Sequence, residues 1–129
     1  MMRSLVFILV IMSGATAISG CVSANQLAFT PKDPSEIPPS AANQRSASRE
    51  NYINCLLVKT TESVVEQGNY ARADVKATCA PLAQKYYDAV FAAAYRKERR
   101  ADFSANTARE AVGQLERMTF DGFDKQIRR

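Results

Sequence analysis

An unbroken apolar run, Leu5 to Met12, decides how much of this chain is left to fold. One positive charge, Arg3, precedes it, and the small, weakly polar stretch Ser13 to Gly20 follows. The run falls far short of the roughly 20 apolar residues that span a bilayer as a helix. Its three-part layout is that of a secretory signal removed after export. A buried core helix is the competing reading, but nothing after the run supplies a cap or an amphipathic rhythm. With residues 1–20 set aside as a signal and residues 21–47 poor in large apolar groups, residues 48–129 remain for one small domain. Domains near roughly 80 residues usually supplement their core with a disulfide, a metal or a partner.

Composition narrows the chemistry. The chain has no histidine, and so lacks the commonest general base and the commonest metal ligand. Its formal charge of +4 falls to about +3 once Arg3 leaves with the signal. That excess is mild, without a dense basic stripe interleaved with aromatics, so no nucleic-acid partner is expected. Neither a C-x-x-C pair nor a glycine-rich phosphate loop is present. The expectation is a protein that is not an enzyme and carries no cofactor and no metal.

Two cleavage sites compete at the end of the signal. Ala15-Thr16-Ala17 fits the A-x-A pattern of ordinary signal peptidase. Ile18-Ser19-Gly20-Cys21 resembles the lipobox of bacterial lipoproteins, an aliphatic residue and two small ones before a cysteine, and is the favoured reading. The resemblance covers residues 1–21 alone and implies nothing about the fold beyond them. It departs from the usual pattern only at Ile18, where leucine is commoner but the aliphatic shape is kept. It implies cleavage between Gly20 and Cys21, a diacylglyceryl group on the Cys21 thiol and an acyl group such as palmitate on its amine. Val22 lacks the aspartate that marks inner-membrane retention in many enteric bacteria. The periplasmic side of the outer membrane is therefore the expected location, with the inner membrane or secretion as alternatives. Assigning Cys21 to lipid leaves Cys55 and Cys79, of three cysteines in all, as a pair suited to an oxidising compartment.

From Val22 to about Ala47 the chain turns to Ser, Ala, Asn and Gln with Pro31, Pro34, Pro38 and Pro39. Too few apolar groups remain to offset the entropy of ordering it, so residues 21–47 are expected to be a disordered tether with a coil span of about 30 Å. A partner-binding motif around Leu27 to Phe29 is the alternative.

The remainder reads as all-α. Ser46 or Ser48 suits the N-cap of a helix reaching about Gln67, where Gly68-Asn69 supplies left-handed turn chemistry. Val75, Cys79, Leu82, Tyr86, Val90 and Ala93 mark a stripe at helical spacing from about residue 70 to 100. Pro81 interrupts it, and because the stripe stays in phase a kink is favoured over two helices meeting near Cys79. Thr107 to Glu110 has capping-box spacing and predicts a third helix with Ala111, Val112, Leu115 and Met118 on its apolar side. Phe120, Phe123 and Ile127 suggest a short tail folding back on the core. Measured from a turn near residue 68, Cys55 and Cys79 reach similar heights on antiparallel helices, so a bridge is geometrically reasonable. One tension stands: Cys55 lies nearly opposite the line Ile53, Leu57, Val64 that periodicity offers as the core face of the first helix.

Three further groups invite chemistry. The cluster Arg96 to Arg100 suits anionic head groups or an acidic partner, or is simply a solvated helix end. Tyr87, Phe91 and Tyr95 form an aromatic line, either an exposed binding face or packing for the third helix. Glu62 and Glu66 share a helical face but have no accompanying base. The resulting expectation is a membrane-anchored accessory lipoprotein that binds another envelope protein. The alternatives are a lipid or small-molecule binding module, and an inhibitor of a cell-wall hydrolase or toxin.

Overall fold

The structure, a computed structural model, describes Phe29 and residues 33–129. The expected signal, the lipobox-like stretch Ile18 to Cys21 and Leu27 lie outside the described residues. Two short 3-10 turns, Pro34–Glu36 and Pro39–Gln44, lead into α1 (Arg45–Gln67), α2 (Arg72–Thr78), α3 (Ala80–Glu98) and α4 (Ala101–Ile127). No strand occurs among the described residues, and the fold is all-α. The long helices α1, α3 and α4 pack on one another, with α3 additionally covered by the second 3-10 turn.

The core face of α1 is Ser48, Tyr52, Leu56 and Thr60, at a strict spacing of four. This corrects the expected line through Ile53, Leu57 and Val64, of which Leu57 is exposed. Three residues on the true face, Ser48, Tyr52 and Thr60, carry hydroxyls and so weaken the apolar pattern. The two larger ones are satisfied internally: Thr60 Oγ1 donates to Leu56 O at 2.6 Å and the Tyr52 hydroxyl donates to a carboxylate on α4. Moving the core face removes the tension over Cys55, which lies beside Tyr52 and Leu56 and bonds to Cys79 with a Cα–Cα separation of 6.0 Å. Neither Ser46 nor Ser48 is the cap, because the preceding 3-10 turn runs straight into α1 at Arg45. Gly68 ends the helix at φ +78°, its N–H donating to Val64 O, a left-handed position that glycine adopts without steric cost.

At Pro81 the chain breaks rather than kinks. Cys79 leaves the helical region and separates α2 from α3, which places the proline in the first turn of α3 where its missing N–H has no helical acceptor to lose. Cys79 O then accepts from Leu82 and Ala83 at 3.0 and 3.1 Å. Only one residue is displaced from helix, so most of the stripe survives the break: Val75, Cys79, Tyr86 and Val90 are buried, while Leu82 and Ala93 are half-buried.

The third long helix begins six residues before the Thr107 capping box. Thr107 Oγ1 bonds back to Phe103 O at 2.9 Å, a bond inside a helix and not a cap. The start at Ala101 follows an extended Arg100, and Asp102 occupies the first turn, where its carboxylate complements the helix dipole. Nothing ends the helix before Ile127, so Phe120 and Phe123 belong to α4, about 40 Å long at about 1.5 Å per residue, and not to a separate tail. Its buried face runs Ser104, Ala108, Val112, Leu115 and Phe120, whereas Met118, expected on it, is 59% exposed.

The largest correction concerns the tether. From Asp33 onward the segment expected to be disordered is packed against α3, and Ile37 is 5% exposed. Proline accounts for part of this order, since Pro34 and Pro39 pre-set the backbone at the starts of the two turns. Asp33 caps the first turn, accepting from Ser35 N at 2.9 Å and Ser35 Oγ at 2.7 Å. A short segment with one large apolar residue is thus ordered by a surface that lies elsewhere in the chain. We refer to Phe29 and residues 33–44 as the arm.

Candidate functional site

The aromatic line on α3 and the arm build one site together. Tyr87, Phe91 and Tyr95 recur every fourth residue, so their rings lie in a row along the helix. Phe29 from the arm stacks on Tyr87 with ring centroids 4.6 Å apart and an interplanar angle of 12°. The row continues from Tyr87 to Phe91 at 6.3 Å and to Tyr95 at 5.8 Å, and Arg99 places its guanidinium 6.0 Å from the Tyr95 ring. Tyr87 and Phe91 are buried by this arrangement and Tyr95 is half-buried. Burial pushes the Tyr87 hydroxyl above its ordinary value.

Residues of the arm and of α3 together line a cleft of about 470 Å³. Ile37, Phe91, Ala92 and Tyr95 form its apolar lining, and Arg96 and Arg99 stand at its edge. Arg96 Nη2 also donates to Pro39 O at 3.0 Å, tying arm to helix. Arg99 terminates α3 in the left-handed region at φ 56°, the only positive φ at a non-glycine among the described residues. An arginine there is strained relative to glycine.

A second cluster lies where α1, α2 and α4 meet. Glu116 accepts from the Tyr52 hydroxyl at 2.6 Å through Oε1 and pairs with Lys76 at 3.1 Å through Oε2. Both charged side chains are about nine-tenths buried. Burial foremost, with the bond to Glu116, holds the Tyr52 hydroxyl far above its ordinary value. A phenol so placed stays protonated and acts as a donor, and a carboxylate already engaged at both oxygens is a poor general base. The group is built to hold three helices together. Near the α4 C-terminus, Arg72 bonds Asp121 at 2.9 Å and Asp124 at 2.8 Å and lies 5.2 Å from the Phe120 ring, while the Tyr70 hydroxyl donates to Asp124. These contacts, the Tyr70 bond foremost, hold the Asp124 carboxyl below its ordinary value.

The structure brings Cys55 and Cys79 together and gathers the aromatic line with two cations of the Arg96 to Arg100 cluster. It does not assemble a carboxylate pair from Glu62 and Glu66: Glu62 pairs with Lys59 at 2.9 Å and both glutamates are exposed. Gly20 and Cys21 lie outside the described residues. Sequence reasoning missed Ile37, which sits alone in a polar segment, and the Tyr52–Glu116–Lys76 group, whose members are too far apart in sequence to leave a pattern. Among the described residues no helix is long and apolar enough to cross a membrane, and no cluster of three or more acidic or cysteine side chains is placed to hold a metal ion. Comparison with protein families, curated proteins and solved structures finds no match to this chain.

Proposed function

We propose that this chain is a lipid-anchored lipoprotein of the bacterial envelope whose helical domain binds another envelope protein without catalysing a reaction. The observation that carries the reading is the Cys55–Cys79 bond. A structural disulfide calls for an oxidising compartment, and forming it takes two of the three cysteines, leaving Cys21 at the end of Ile18-Ser19-Gly20-Cys21. Three acyl chains on that residue would hold it irreversibly, since each buried methylene contributes about 0.8 kcal/mol.

The order of the arm sharpens the anchoring. Phe29, stacked on Tyr87, is eight residues along the chain from Cys21, a reach of at most about 28 Å. The domain is thus held close to the bilayer surface and is not free to range on a long coil.

The outer side of α1 supports a protein-binding role. Leu57, Val58 and Val65 are 38%, 52% and 79% exposed, and Thr61 between them has its hydroxyl taken up by Leu57 O at 2.8 Å. An apolar strip of this kind opposite the core face marks a contact surface.

Intact-mass spectrometry of the membrane fraction, with and without reduction, tests the anchor. The reading expects a chain starting at Cys21, heavier by diacylglyceryl and acyl groups. A soluble, unmodified chain starting at Ile18 would overturn it. For the partner, Val58→Asp with Val65→Asp should abolish crosslinks to envelope proteins while leaving the helical signal intact; unchanged crosslinks would remove α1 as the contact surface.

A further inference from the structure

We infer that the cleft between the arm and α3 is a binding site for an anionic amphiphile, a carboxylate or phosphate group carried on an apolar chain. Three observations converge on it. The cleft is within the roughly 300–1,000 Å³ of small-ligand sites, and its volume of about 470 Å³ suits a medium-length chain. Most of its lining is apolar, with Ile37, Phe91, Ala92 and Tyr95 contributing, so a hydrocarbon entering it leaves water. Its lining carries two cations: Arg96 and Arg99 both reach it, and neither has an ion pair among the described residues. The lining holds two arginines against one carboxylate, Asp33, which already accepts two hydrogen bonds from Ser35, so the net charge of the cleft favours an anion.

Arg99 adds an argument of a different kind. A helix ending in the left-handed region ordinarily takes glycine or asparagine there, because a side chain at positive φ is strained. Here the position carries an arginine whose guanidinium leans over the Tyr95 ring at the cleft edge. The packing of α3 does not require that side chain, which is exposed. A ligand does: guanidinium presents paired donors to a carboxylate or phosphate, and Tyr95 holds it in place. The proposal goes beyond the protein-binding role and does not depend on acylation of Cys21.

The test uses the full-length chain carrying Cys21→Ser and a decanoate bearing a diazirine on its chain. Photolysis followed by peptide mapping should place the label on peptides containing Ile37 and Phe91 to Tyr95, saturably, with the corresponding alcohol labelling far less. Arg99→Gly relieves the backbone while removing the cation, so it keeps the fold and should weaken half-saturation about tenfold, about 1.4 kcal/mol. Ala92→Leu fills the apolar part and should abolish labelling without altering charge. Competition by unlabelled decanoate alone would assign a free acid as ligand, and competition by dihexanoyl phosphatidylglycerol a lipid head group. Label spread over the exposed side of α1 or confined to the apolar run Leu5 to Met12, or labelling unchanged in Arg99→Gly, would overturn the proposal.

Discussion

Where α1, α2 and α4 meet, the chain is joined by a covalent bond, a buried ion pair and a buried phenol; where the arm meets α3, it is joined by stacked rings, one buried isoleucine and the Arg96 hydrogen bond to Pro39. The first region is intolerant of partial loss, because removing one member strands a charge or a hydroxyl in a nearly dry environment. The second is composed of small, separable increments. A small domain built in this way can release or reshape its arm without losing its body.

Substitutions should expose the contrast most strongly at Glu116. Glu116→Ala leaves Lys76 buried without its partner and is expected to destabilise by about 3–5 kcal/mol in urea titrations, whereas Glu116→Leu combined with Lys76→Met should recover most of the loss. A double variant no better than the single one would show that this region is not governed by an unpaired charge. Next in size is the disulfide: Cys55→Ala with Cys79→Ala removes a link spanning 24 residues and should lower stability by about 3 kcal/mol in the chain-entropy account. On the arm side the effects shrink. Ile37→Ala is expected to cost about 2 kcal/mol and Phe29→Ala about 1 kcal/mol. Phe29→Ala matching the disulfide variant would erase the distinction between the two regions.

Alkaline titration separates them without changing their packing volume. Burial and Glu116 raise the Tyr52 hydroxyl above 10.0, so the folded chain keeps this proton when the unfolded chain would release it. The stability this contributes is complete below about pH 10 and is lost as pH rises beyond it. Tyr52→Phe should flatten that alkaline decline; an identical slope in both proteins would place the effect elsewhere. At the acidic end the sign reverses for Asp124, whose lowered carboxyl contributes stability above pH 3.8 that fades as pH falls through its folded value.

The same division separates what was legible in the sequence from what was not. Helix content, the α3 stripe and the Gly68 stop rest on short-range spacing and the Cys55–Cys79 pair on cysteine counting, and each is present in the structure. The misread features depend on distant partners. Tyr52 sits on the core face of α1, and the carboxylate that takes up its hydroxyl lies 64 residues away. Thr107 to Glu110 has the spacing of a cap, yet spacing does not say whether the preceding turn is already helical. The arm looked like a tether since its own residues do not suffice to order it; the aromatic surface of α3 completes the order from some 50 residues away. For the candidate site, the line Tyr87, Phe91, Tyr95 was visible, but Phe29 and Ile37 as its cover and Arg99 as its edge were not.

Native-state hydrogen exchange on the disulfide-intact protein measures the contrast most directly. The account predicts that amides of residues 33–44 exchange through a local opening, with low and denaturant-insensitive protection, while those of Tyr52, Leu56, Val112 and Glu116 exchange only with global unfolding. Arm amides as strongly protected as those core amides, and with the same denaturant dependence, would contradict it, showing that the arm and the body open as one unit.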